Sequence, residues 1–250
     1  MPLSLHLSRF YSSARLPRHF EAGFIAELAE AVTHHAIHAL RLREGDSLVL
    51  FDGEGGEFRA RIHEIKKQRL KVELLAFQDI SRESPLKITL AQALTTGDKM
   101  DFIIQKAVEL GVACIQPLHT ARCTARLSDD RAAKRLAHWR AIAINACEQC
   151  GRNRLPIIEP MRDFQEWLDM PVKSPRYMLL PDASHSFSTL VTVPELCLLV
   201  GPEGGFEPRE VNWAIEYDIQ PVRLGPRILR TETAGFAAVA ALSARVGDFV

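Results

Sequence analysis

The first third of the chain is built from short runs in which apolar and polar residues partly alternate. "LSLHLSRF" (3–10), "SLVLFD" (47–52), "EFRARIHEI" (57–65) and "LKVELLAF" (70–77) read as strands with one face buried. "FDGEGGEFR" separates two of them and carries Asp52-Gly53, a strong turn dipeptide, so a hairpin is expected there. "FEAGFIAELAEAVTHHAIHAL" (20–40) is expected to be partly helical. Together these elements predict a small β-barrel over residues 1–80. "SRESP" (81–85) is polar, ends in proline and reads as the joint to a second domain.

Beyond the joint the period changes, and strands alternate with helices. "LKITLAQAL", "VACIQPL", "YMLLPD", "ELCLLVG" and "PVRLG" are apolar runs of strand length. Between them, "GDKMDFIIQKAVELG" (97–111) puts Met100, Ile103, Ile104, Ala107 and Val108 at helical spacing, with Asp98 as expected N-cap and Gly111 as stop. Residues 129–150 form a long helix with Leu136, Trp139, Ala143, Ala146 and Cys147 on one face. "EPREVNWAIEYD" starts a helix around Pro208, and "TETAGFAAVAALSARVG" is a helix of small residues. Such alternation over residues 81–250 predicts a mostly parallel α/β domain.

The chain of 250 residues is 47% hydrophobic, which suits one or two folded domains and excludes disorder as the main state. Its formal net charge is zero, yet residues 81–160 hold 12 basic and 8 acidic groups, compatible with a nucleic-acid face. No apolar run is long enough to span a bilayer. The opening residues lack the charged start and long apolar run of a signal peptide, and the five cysteines are an odd number. A cytoplasmic protein with reduced thiols is expected. Cys147-x-x-Cys150 sits late in its helix, where the helix N-terminus cannot lower a thiol pKa, so a redox role is not favoured. His34 and His38 stand four apart without a third ligand, so no metal site is expected.

The chemistry concentrates where two strands run into glycine. "LLVGPEGGF" follows one, and "LGPRILRTETA" follows another. In parallel α/β folds, ligands bind at the carboxyl ends of the strands. Exposed backbone groups there can hydrogen-bond an adenine edge. Taken alone, either loop is also explained as an ordinary turn. The phosphate-loop reading is weak, since no Lys-Ser or Lys-Thr follows Gly205.

"VGPEGGF", then Glu210, then "LGPRILRTETA" closely resembles the ribosomal RNA small-subunit uridine N3-methyltransferase family, of the SPOUT superfamily. "GDKMDFIIQKAVELGV", "PLHTARC", "HWRAIAINACEQCGRNRLP" and "HHAIHALRLREGDSLVLFDGEGGEFRA" are similar to its other blocks, so the likeness covers nearly the whole chain. It implies a PUA-like β-barrel followed by a SPOUT α/β domain with a deep trefoil knot. It also implies S-adenosyl-L-methionine as methyl donor, a homodimer, and small-subunit (16S) ribosomal RNA as substrate, within the assembled subunit, with no membrane partner.

The same resemblance implies cofactor contacts at Val200, Gly201, Pro202, Glu203 and Gly204, at Leu224, Gly225, Ile228 and Leu229, and at Thr231, Thr233 and Ala234. Glu203 is read either as a contact or as the residue that orders its loop. Arg230 is the expected stabiliser of negative charge on the target ring. Glu232 is either a proton handler or a partner of the helix N-terminus. Arg9, Arg18, Arg41 and Arg43 in the barrel, and Lys99, Lys106, Arg122, Arg126 and Arg152 in the basic middle, are candidate RNA contacts. Two competing readings use the same residues: ribose 2′-O-methylation of an RNA, and a non-catalytic RNA-binding protein on the same fold.

Overall fold

The computed structural model describes residues 7–66, 69–123, 129–171, 173–190 and 193–249. Residues 3–6 of the first expected strand and Arg126 lie outside them. The chain forms two compact units: residues 1–83 with 147–155, and residues 84–146 with 156–250. The nine residues that return to the first unit include the last turn of the long helix.

The first unit contains β1 (Arg9–Tyr11), β2 (Ile25–Leu28), α1 (Glu30–His34), β3 (Ser47–Phe51), β4 (Glu57–Lys66) and β5 (Arg69–Gln78). They form one sheet in the order β1-β3-β4-β5-β2. β1 lies parallel to β3, and the other pairings are antiparallel. Phe10, Leu48, Leu50, Phe58, Ile62, Leu70, Val72 and Leu74 face inward and bury a common core. The stretch expected to be partly helical divides into β2, α1 and a π-helical turn at His35–Ala39. The turn before β4 requires glycine at Gly56: its φ is +68°, and a Cβ there would lie 2.5 Å from the Phe77 ring.

Under this sheet lies a buried charge network. Glu57 has a side chain with no exposure and accepts bonds of 2.7 Å from both Arg9 and Arg82. Asn153 is buried beside them and receives Arg9 Nη2 at 2.6 Å. Burial alone would raise the Glu57 carboxyl, but the bonds from Arg82 and Arg9 outweigh it and hold the group at about 2.

The second unit contains β6 (Lys87–Ala93), α2 (Lys99–Glu109), β7 (Cys114–His119), α3 (Asp129–Cys150), β8 (Ile157–Ile158), β9 (Arg162–Asp163), α4 (Phe164–Leu168), β10 (Arg176–Leu179), β11 (His185–Ser186), β12 (Glu195–Val200), α5 (Pro208–Glu216), β13 (Gln220–Arg223) and α6 (Thr231–Val246). The end of α3 belongs to the first unit. Every strand pairing is parallel, in the order β11-β13-β10-β12-β6-β7-β8, with β9 also on β7. All five apolar positions predicted for α2 are buried. Asp98 occupies its N-cap, but the side chain makes no capping bond, and Gly111 follows the end of the helix with φ +83°. On α3, Trp139, Ala143, Ala146 and Cys147 are buried, while Leu136 is half-buried. Burial pushes the Cys147 thiol up to about 12, the opposite of what a redox nucleophile needs.

Glu57 sets the acid limit of the first unit. Its folded-state pKa of about 2 lies below its ordinary value of 4.5, so its contribution is complete above pH 4.5 and is lost as pH falls toward 2. Thermal melts should therefore show a falling Tm across that window. At pH 7, Glu57→Leu should destabilise by roughly 3–5 kcal/mol, because a buried guanidinium, Arg9, and a partly buried one, Arg82, lose their counter-charge. A wild-type Tm flat from pH 5 to 3, or a harmless substitution, contradicts the assignment.

Candidate active site

Three neighbouring strands of the second unit, β13, β10 and β12, end side by side, and their exits enclose a cavity of about 540 Å3. This size suits a small-molecule site, typically about 300–1,000 Å3. Leu179, Leu180 and Pro181 close one side, where β10 ends. The 200–206 loop after β12 forms a second wall, and Leu224 with residues 227–232 and Ala234 forms the third. The lining is mostly apolar with backbone exposed between, as suits a flat heteroaromatic ligand.

The second and third walls are fixed by hydrogen bonds from outside their own loops. Glu203 accepts from Thr96 N at 3.2 Å, Thr96 Oγ1 at 2.9 Å and Lys99 Nζ at 3.0 Å. Partial burial works against the charge, but backbone donation from its own N–H, then Lys99 and Thr96, holds the carboxyl at about 2. Glu203 thus orders the loop through the connection that follows β6 and the first residue of α2. Gly201 lies against Phe206, whose ring is 2.9 Å from where a Cβ would stand, so only glycine lets the aromatic ring fold back on the strand exit. Arg122 donates to the Gly204 carbonyl at 2.7 Å. Glu210, almost wholly buried in the first turn of α5, accepts from Glu207 N at 2.9 Å and from Ala121 N at 2.8 Å. It therefore caps the helix and holds the 120–123 loop. Between the second and third walls, Thr231 Oγ1 donates to the Gly201 carbonyl and receives Gln92 Nε2 at 3.0 Å.

The expected cofactor residues gather in this cavity except Gly225 and Thr233, which do not line it. Gly225 has φ +77° and makes the turn after β13. Arg230 stands at the N-cap of α6, exposed and lining the cavity. Glu232 follows in the first turn, with Oε2 buried and unpartnered. Among the expected RNA contacts, Arg41 and Arg122 are exposed. Lys99 pairs with Glu203, and Lys106 pairs with Glu109 at 2.7 Å. Arg9 and Arg152 have side chains only 6% exposed and paired with Glu57 and Glu83, so a phosphate does not reach them as they stand. Sequence patterns missed Leu179–Pro181, Phe206 and Arg227. An apolar strand ending in Leu-Leu-Pro was a signal for Leu179, Leu180 and Pro181. The His34 and His38 rings lie 4.5 Å apart, tilted by 42°, and no group of three metal-binding side chains occurs among the described residues. Nor is any helix among them long and apolar enough to cross a membrane.

A parallel sheet with a cavity at its carboxyl edge, in a chain that also has a unit built on a small mixed sheet, defines the class. The family described as RNA methyltransferase domain matches residues 82–243, and the RNA methyltransferase PUA domain matches residues 28–75. Ribosomal RNA small subunit methyltransferase E of Buchnera aphidicola is 36% identical over 94% of this chain and 98% of its own. The Bacillus subtilis protein of the same name is 33% identical over 84% and 86%. Ribosomal RNA small subunit methyltransferase E from Neisseria gonorrhoeae, solved bound to S-adenosyl methionine, superposes with a TM-score of 0.88. It is 40% identical and covers 98% of this chain and 100% of its own. A Legionella pneumophila methyltransferase solved with bound SAM gives a TM-score of 0.91 at 37% identity, with 98% and 100% covered. The chain belongs to the ribosomal RNA small subunit methyltransferase E family.

Glu210 should be the costliest single loss around the cavity that touches no ligand. Glu210→Ala removes two accepted bonds and leaves the Ala121 and Glu207 N–H groups unpaired, for about 2–3 kcal/mol. Glu210→Gln keeps one of the two acceptor oxygens and loses one bond, so it should cost about half as much. Urea unfolding measures both, and equal, negligible losses would remove Glu210 from this role.

Proposed function

We propose that this protein transfers a methyl group from S-adenosyl-L-methionine to N3 of a uridine in small-subunit (16S) ribosomal RNA. The observation that carries the reading is the cavity at the ends of β10, β12 and β13. Its volume, apolar walls and exposed loop backbone fit an adenosyl group and its methionine tail. In this reading Leu224, Ile228, Leu229 and Ala234 hold the adenine, and Val200, Gly201, Pro202 and Gly204 lie along the ribose and methionine. Bound there, the cofactor supplies an electrophilic sulfonium methyl.

The chain's own residues supply placement and charge. N3 lies on the pairing edge of uracil, so the target base must be unpaired or flipped out. N3 also carries a proton, and as that proton leaves, negative charge spreads onto the ring carbonyl oxygens. Arg230, exposed at the cavity rim, is the group we assign to stabilise that charge. Glu232 carries an unpartnered carboxylate oxygen beside it and is assigned to handle the proton. The barrel of residues 1–80 binds RNA, and residues 81–250 carry the transfer in a knotted SPOUT fold. Arg41, Lys99, Lys106 and Arg122 are the phosphate contacts we retain. Catalysis takes place in the cytoplasm on the assembled subunit.

A homodimer belongs to the same reading. Phe102 on α2 is 48% exposed although it meets Phe236 on α6 at 5.6 Å, and half-buried Ala237, Ala240 and Ala241 allow another backbone close to α6. Light scattering should give twice the 28.0 kDa chain mass, and Phe102→Arg should shift it toward the single-chain mass. A monomeric wild type contradicts the dimer.

The reaction is tested with labelled S-adenosyl-L-methionine and small subunits lacking the modification, and the products are identified by nucleoside mass spectrometry. Labelled 3-methyluridine is expected. Arg230→Ala should lower kcat about 100-fold or more, with cofactor Kd changed less than about threefold. Ala234→Leu should fill the adenine side of the cavity and abolish cofactor binding. Label on a ribose oxygen would sink the N3 assignment, and no label without cofactor binding would favour an RNA-binding protein.

A further inference from the structure

We infer that Gln92, on β6 and outside the cavity, is a positioning residue for the cofactor loop. It acts through Thr231 on the carbonyl of Gly201. The inference rests on the cofactor occupying the cavity at the ends of β10, β12 and β13.

Gln92 is wholly buried in the middle of the parallel sheet. It sits in register with Val200 on one neighbouring strand and Pro117 on the other, and its chain neighbours are Ala91 and Ala93. Its amide nitrogen donates to the Ala93 carbonyl at 3.0 Å and to Thr231 Oγ1 at 3.0 Å. A backbone carbonyl can only accept, so the nitrogen, not the oxygen, must face this side. Thr231 Oγ1 therefore receives an N–H, and its own proton is directed to Gly201. The bonds run one way, from Gln92 through Thr231 to the first residue of the β12 exit.

The sense of this relay matters because Gly201 and Thr231 belong to different walls of the cavity. One begins the 200–206 loop and the other begins α6. A single hydroxyl fixes the separation of the two, and Phe206 clamps Gly201 on another side. Thr231 is itself 7% exposed, and its hydroxyl is already committed as donor to the Gly201 carbonyl. Its role is then to set the walls, with no ligand contact through the hydroxyl required.

Stability does not explain the glutamine. Gln92 Oε1 is buried and has no partner, which costs folding free energy. A methionine of similar length would fill the position without that cost. What methionine cannot supply is the two N–H donors.

The test uses the full chain and titrates S-adenosyl-L-methionine by calorimetry, with thermal melts of the ligand-free protein beside each titration. Gln92→Met and Thr231→Val should each raise Kd about tenfold, the scale of one lost directed bond. The double substitution should be little worse than either single one, since both cut the same relay. Thr231→Ser keeps the hydroxyl and should bind within about threefold of wild type. Gln92→Met should melt at the wild-type temperature or above, which a merely structural role does not allow. Wild-type Kd in both Gln92→Met and Thr231→Val overturns the inference, as does a rise in Kd that tracks a fall in Tm. Ala234→Leu separates the two levels. If it binds cofactor normally, the cavity reading fails and this inference with it; if it abolishes binding while the relay variants bind normally, only the relay fails.

Discussion

Strands of a parallel sheet end with backbone groups that no ladder partner satisfies, and here three such ends stand side by side. β13, β10 and β12 are adjacent in the sheet, so their exits must diverge or be tied down. The tying is done by side chains from elsewhere in the same unit. Glu203 reaches Thr96 and Lys99, Arg122 reaches Gly204, and Thr231 reaches Gly201. The cavity is the space left when these loops are held apart at their bases and closed by Leu179–Pro181 and Phe206.

This arrangement accounts for the residue types at the site. Glycine at 201 admits Phe206, and Glu203 carries its charge as a brace within the protein. Arg230 and Glu232 are left at the rim and the start of α6, lining the cavity. The first unit obeys a different logic. Its buried network of Glu57, Arg9, Arg82 and Asn153 consumes charges that a sequence presents as solvent-facing.

Local patterns made much of this legible. The stripe from Met100 to Val108 marked α2, and the glycine-rich exits after Val200 and Leu224 marked two walls of the cavity. What escaped were features fixed by distant contacts. Arginine at positions 9 and 152 looked like phosphate contacts because no linear pattern reveals Glu57 or Glu83 opposite them. Residues 147–155 return to the first unit, which periodicity along a helix cannot show. Gln92 read as one polar residue in a strand, and its meaning lies 139 positions away, at Thr231.

The central claim is the place of the cofactor. A crystal structure with S-adenosylhomocysteine tests it most directly. Density is predicted between the 200–206 loop and residues 224–231, with Glu203 still bonded to Thr96 and Lys99 and the Gly201 carbonyl still held by Thr231. A ligand bound elsewhere, or one that draws Glu203 away from Lys99 onto itself, would contradict it.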